Sequence, residues 1–222
     1  PMDVCFSNWR AYFGEACAYS YDLDALGAIG VHRALYGTLL VQALLLYRNY
    51  FYSGGNGSKA LGSVTLLVIT SAIGFGLAAL VTPQGVKRLT KDQWIAAWLL
   101  AGGAATIVLG PTFDKYTYLL LGFLMGLSAQ CVKICVDTTV QQTVDDAYMG
   151  RVFSLYDMLY NAAYVLGPAI AIPFLPAMGK SYPVILVIGA CYVGASALYA
   201  ALTLGRPGVQ SPPARPTQAA QR

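Results

Sequence analysis

Apolar residues run through this chain in long unbroken blocks, and the blocks predict six membrane-spanning helices. They are Ala28 to Phe51, Leu61 to Thr82, Trp94 to Gly110, Tyr116 to Thr139, Val152 to Ala177 and Tyr182 to Leu204. Each reaches across a hydrocarbon core of about 30 Å at about 1.5 Å per residue, the third with least to spare. Turn and polar residues separate them: Ser53-Gly-Gly-Asn-Gly-Ser58, Thr82-Pro-Gln-Gly85 and Pro111-Thr-Phe-Asp114. The pattern therefore gives an all-α membrane protein, a six-transmembrane-helix bundle over residues 26–204. Residues 1–25 are expected to form a cytosolic segment. Residues 205–222, rich in Pro, Gln, Ala and Arg without periodicity, are expected to form a disordered cytosolic tail.

Composition supports lipid as the solvent. Hydrophobic residues make up 57% of the chain and charged residues only 11%, against about 25% charged in a soluble domain. Mean hydropathy is +0.56. The net charge of +4 matters less than where the basic residues lie. Arg10, Arg33, Lys87, Arg88, Lys91, Arg151, Arg206, Arg215 and Arg222 fall on one side of the predicted spans, and Arg48, Lys59, Lys115 and Lys180 on the other. By the excess of positive charge on cytoplasmic loops, both termini are placed in the cytosol. The expected location is the plasma membrane, crossed several times.

Five cysteines show neither metal-ligand nor disulfide-scaffold spacing, and Cys131 and Cys135 read as packing residues one turn apart on an apolar helix. The single histidine, His32, argues against a His-based metal site, so no metal or other cofactor is expected. No nucleic-acid footprint appears. No signal peptide is visible, since the first apolar segment begins only after about 25 mixed residues, and the opening on Pro1 rather than Met leads us to expect a preceding segment.

Polar residues inside the spans point to function. In the fourth, Gln130, Lys133, Asp137 and Gln141 share one helical face; in the fifth, Asp157, Tyr160, Asn161 and Tyr164 do the same, continuing to Gly167-Pro168. A charge in the membrane costs about 2.5 kcal/mol or more unless paired or wetted, so two such faces imply a wet or hydrogen-bonded interior. By depth, Asp137, Arg151 and Asp157 are expected to converge at the cytosolic side. Lys133 and Asp137 can equally be read as a local pair neutralising each other. Gly167-Pro168 allows a kink or close packing. His32 and Arg33 are placed near the cytosolic end of the first span, Arg33 snorkelling to the headgroups. Tyr47 to Phe51 reads as an outer interfacial belt.

The stretch from Lys133-Ile-Cys-Val-Asp137-Thr-Thr-Val-Gln-Gln to Met149-Gly-Arg151-Val-Phe-Ser-Leu-Tyr-Asp157-Met-Leu-Tyr-Asn161 resembles the tenth and eleventh helices of major facilitator superfamily transporters, closest to the efflux-type branch. His32 to Phe51 resembles the seventh helix. The resemblance implies the C-terminal six-helix half of a twelve-helix fold, built from inverted three-helix repeats, with residues 1–25 as the end of a central loop. It also implies a latch in the loop Pro83 to Asp92. That loop holds Lys87, Arg88 and Lys91, but Thr90 stands where glycine is expected and no acid precedes the basic pair.

The function these readings imply is secondary transport of a small molecule by alternating access, as proton-coupled efflux by an antiporter. Lys133, Tyr160, Asn161 and Tyr164 line the substrate pathway, and Asp137, Arg151 and Asp157 serve proton coupling or the cytosolic gate. Partners are the lipid bilayer, the small-molecule substrate and the N-terminal six-helix half of the same transporter. An enzyme is disfavoured by the lack of Gly-x-Ser-x-Gly and His-Glu-x-x-His patterns. The alternative is an oligomeric six-helix channel or another non-enzymatic membrane component.

Overall fold

A chain whose backbone must satisfy its own hydrogen bonds in lipid has helices as its simplest solution, and the computed structural model shows six long helices among the described residues. It describes residues 20–52, 57–143 and 149–203. The helices are α1 (Ser20–Leu45, continued as a π-helical turn Leu46–Phe51), α2 (Gly57–Gly85), α3 (Lys91–Leu109), α4 (Lys115–Thr143), α5 (Met149–Ala171) and α6 (Tyr182–Thr203). No strand occurs among the described residues. The expected tail, most of the N-terminal segment and part of the Ser53–Ser58 connection lie outside the described residues.

Among the described residues five helices are long and apolar enough to cross a membrane: Asp24–Phe51, Gly57–Gly85, Lys91–Thr112, Lys115–Gln142 and Tyr182–Thr203. The fifth predicted span is not among them. Its helix α5 carries Asp157, Asn161 and three tyrosines, which dilute its apolar character, and it ends at Ala171 rather than Ala177. Helix α1 begins at Ser20, so residues 20–25 belong to it rather than to the segment before it. Thr82 to Gly85 is helix, not connection: Pro83 sits inside the last turns of α2. Thr90, where glycine was expected, caps α3. Its Oγ1 accepts from the Gln93 N–H at 3.3 Å, while its own N–H donates to Gln93 Oε1 at 3.1 Å.

The principal packing pairs are α1 with α5, α2 with α4 and α3 with α6, supplemented by α1–α6, α3–α4 and α1–α4. Exchanging the first three helices for the last three (α1 for α4, α2 for α5, α3 for α6) leaves this set of pairs unchanged. Direction follows from individual contacts. Tyr47 near the end of α1 bonds to Lys115 at the start of α4, and His32 meets Ser128, so α1 and α4 run antiparallel. Leu67 and Ser71 face Gly122 and Gly126 in the same order, so α2 and α4 run parallel. The two triplets are thus related as inverted repeats.

Each principal pair closes on glycine. A Cβ on Gly74 would stand 2.8 Å from the Leu127 nitrogen, one on Gly126 2.7 Å from Ser71 Oγ. In the α1–α5 pair, a Cβ on Gly37 would meet the Tyr164 carbonyl at 2.5 Å, and Gly167 lies against the Ala34 backbone. Gly103 packs on Tyr192 and Val193 between α3 and α6. In lipid, where no hydrophobic force draws helices together, such close approach is the main source of packing energy. Gly76, on α2 as well, has open space around it. Gly74→Ala is therefore expected to cost about 1–3 kcal/mol by overpacking, whereas Gly76→Ala stabilises by up to about 1 kcal/mol through helix propensity. Thermal unfolding of the two purified variants, followed by tryptophan fluorescence, should show melting temperatures displaced in opposite directions.

Candidate substrate pathway

Two polar systems occupy the bundle. The first is a buried knot around His32, which is only 2% exposed. His32 Nε2 lies 3.1 Å from Ser128 Oγ, whose hydroxyl donates to the Trp98 carbonyl at 2.9 Å. Since that hydroxyl has one proton to give, Nε2–H is the donor to Ser128. The Tyr192 hydroxyl donates to the His32 carbonyl at 3.1 Å, and its ring packs edge-on against the imidazole at 5.2 Å. The knot thus ties α1 to α3, α4 and α6. The expected position near the end of the first span is corrected: α1 starts earlier than the apolar run, which carries His32 deeper into the bundle.

The second system lies where α4 and α5 leave their polar faces half open. Lys133 Nζ meets Asp137 at 3.2 Å, with the two side chains 24% and 28% exposed. The same Nζ donates to the Tyr156 hydroxyl at 3.4 Å and lies 5.0 Å and 4.8 Å from the Tyr156 and Tyr160 ring centroids. From α1, the Arg33 guanidinium lies 4.3 Å from the Tyr160 centroid and 4.2 Å from that of Tyr164. Tyr160 is therefore contacted by two cations. Tyr164 stacks on Tyr36 at 6.2 Å, and the Tyr36 hydroxyl is 2.8 Å from Ser71 Oγ on α2. Arg33 does not snorkel outward as expected. One helical turn from the Gly37 crossing, it is close enough to α5 to lie on the two tyrosine rings.

Of the residues assigned to the pathway, Lys133, Tyr160 and Tyr164 come together here. Asn161 is exposed on α5, its amide donating to the Asp157 carbonyl at 2.8 Å. Of those assigned to coupling or gating, Asp137 joins the cluster through Lys133, while Asp157 and Arg151 are exposed on α5. Arg33, Tyr36 and Tyr156 were not assigned to the site. Arg33 was visible in the sequence as a charge within a span, but its partners lie on a helix more than a hundred residues away. Tyr47, read as part of an interfacial belt, is fully buried, its hydroxyl donating to the Lys115 carbonyl at 2.7 Å. Cys131 and Cys135 are buried packing residues. No group of metal-binding side chains occurs among the described residues.

Beside the Tyr36–Tyr164 pair lies a cavity of about 230 Å³, lined by Leu39, Leu40, Leu67, Phe75, Met125 and others. An apolar chamber and a cation–aromatic cluster thus share one wall.

This is the architecture of a multi-pass helical membrane protein with a partly exposed polar face along α4 and α5. Two uncharacterized MFS-type transporters, one from Mycobacterium bovis and one from Mycobacterium tuberculosis, are each 31% identical to the chain over 168 residues, 74% of the chain and 36% of the relative. The match supports membership of the major facilitator superfamily. The chain spans about a third of the length of these curated relatives. No protein-family model matches the chain. No solved structure matches it either.

If Lys133 and Asp137 neutralise each other, removing either alone leaves a charge in a poorly solvated site. Asp137→Asn and Lys133→Met are each expected to lower the melting temperature, and the double variant to lose less than their sum. A double-mutant cycle on thermal unfolding should give a coupling of about 1 kcal/mol, the scale of a partly exposed pair.

Proposed function

We propose that the chain is the C-terminal six-helix half of a secondary transporter that moves a small molecule by alternating access, as proton-coupled efflux across the plasma membrane. The single observation that carries this reading is the half-open polar side of α4 and α5. Gln130, Lys133 and Asp137 on α4 are partly exposed while Val132 and Cys135, on the opposite face, are buried. Charges left half open on a membrane helix call for a wet cavity or a facing protein surface. In the proposed assembly an N-terminal six-helix half of the same transporter supplies that surface, and the two halves rock around the path between them. The inverted-repeat packing and the greater length of the mycobacterial relatives, whose names describe transporters, support the reading.

In this account Tyr160, Tyr164 and Asn161 line the path beside Lys133. Asp157, an exposed carboxylate within α5, carries the proton, and Asp137 and Arg151 help close the cytosolic side. Both termini face the cytosol.

The test is Asp157→Asn in the full-length protein, reconstituted in proteoliposomes with an acidic interior. The probes are radiolabelled 4-phenylbutyrate, tetraphenylphosphonium and ethidium. At least one is expected to accumulate in wild-type vesicles by exchange for protons. The variant should keep substrate exchange without a gradient while gradient-driven accumulation falls about tenfold or more, within the usual contribution of a proton-transferring group. Gradient-driven accumulation unchanged by Asp157→Asn rejects Asp157 as the proton carrier, and accumulation of none of the probes counts against efflux of this kind.

A further inference from the structure

We propose that the path takes a small organic anion with an apolar body, its anionic end held by Arg33 and its body in the adjoining cavity. The inference rests on the transport reading and adds the substrate class.

Charge is the first argument. Arg33 and Lys133 approach the same Tyr160 ring, at 4.3 Å and 4.8 Å. Asp137, at 3.2 Å, answers Lys133. The Arg33 guanidinium lies on tyrosine faces, and its Nε is buried without a hydrogen-bond partner. An aromatic face attracts a cation but accepts none of the hydrogen bonds that five guanidinium N–H groups offer. Asp157, the one carboxylate of α5, is exposed, and among the described residues the ion pair that these cations make is Lys133 with Asp137. A carboxylate or sulfonate completes this set, because a guanidinium fork binds such oxygens in pairs.

The second argument excludes the opposite sign. A tyrosine-rich site ordinarily suits a cationic ligand, but here the faces of Tyr160 and Tyr164 are already taken by the protein's own cations. A cationic ligand at these rings would meet like charge.

The third argument is shape. Tyr36 and Tyr164 belong to both regions: Arg33 lies 5.8 Å and 4.2 Å from their ring centroids, and both line the cavity of about 230 Å³. The remaining walls are largely apolar, with Ser71 held by Tyr36. The cavity is partly open, and a body of phenylalkyl size fits its volume of about 230 Å³.

The experiment compares 4-phenylbutyrate, its neutral amide 4-phenylbutanamide and the cation 4-phenylbutylamine, by calorimetric titration of the full-length protein in phosphatidylcholine nanodiscs. The carboxylate is expected to bind about tenfold or more tighter than the amide, as hydrogen bonds to charged groups warrant, and the amine weakest. Arg33→Gln should bring carboxylate and amide within about twofold of each other, with its circular dichroism spectrum and its elution as a single wild-type-sized peak showing that the variant is folded; Arg33→Lys should retain part of the preference. Equal affinities for the three probes, a preference for the amine, or saturable binding by none overturns the assignment. Adding phosphatidylglycerol to the discs should leave carboxylate binding unchanged. A tenfold weakening would instead assign the site to an anionic lipid headgroup and overturn the free anion as ligand. Carboxylate-selective binding without flux in the proteoliposome assay would reject the transport reading while leaving the anion site intact. Flux of another probe with no anion preference would do the reverse.

Discussion

Hydrocarbon offers no hydrogen bonds, so every polar group that these helices carry into the membrane must find its partner on another helix or on a wetted face. The bundle answers in two ways. Around His32 the answer is complete closure: imidazole, Ser128 hydroxyl and Trp98 carbonyl form a chain, and Tyr192 reaches the His32 backbone from α6. Such reach requires helices at close range, and glycines at the α1–α5, α2–α4 and α3–α6 crossings provide it. The small residues are thus the condition for the polar knot as well as for packing.

Along the α4–α5 side the answer is left incomplete. Lys133 has a carboxylate, two tyrosine rings and a phenolic hydroxyl, yet its side chain remains partly exposed. Arg33 has aromatic faces in place of acceptors. A closed core rigidifies, and an incompletely satisfied polar side is where a ligand or an opposing surface gains most by arriving. The division of one bundle into a closed core and an open polar side is the feature on which the proposed transport reading rests.

The spans were legible in the sequence because lipid imposes long apolar blocks, and five of the six predicted spans coincide with helices apolar enough to cross. The exception, α5, is also the helix richest in pathway candidates, and the polar residues that make it so are those that lower its hydropathy. The Lys133 and Asp137 stripe could be read because its members lie one turn apart on one helix. Arg33 could not, since its placement depends on where Gly37 lets α1 cross α5, a tertiary fact that no local pattern carries. The burial of Tyr47 was misread for a similar reason: tyrosines favour interfaces on average, but this one bonds across to Lys115. Thr90 shows the converse, a departure from a family pattern that local capping chemistry explains.

The account turns on whether the open side of α4 and α5 faces a polar space rather than lipid. A nitroxide at Asn161→Cys on that side can be compared with one at the natural Cys191, which is exposed on the apolar helix α6. The full-length protein would be placed in liposomes with its other cysteines replaced by serine, and collisions with dissolved oxygen and with an aqueous nickel chelate measured by electron paramagnetic resonance. The account predicts that the label at position 161 meets the nickel chelate more than oxygen, while the label at Cys191 meets oxygen more. Oxygen-dominated relaxation at both positions would place the polar face against lipid and contradict a substrate path there.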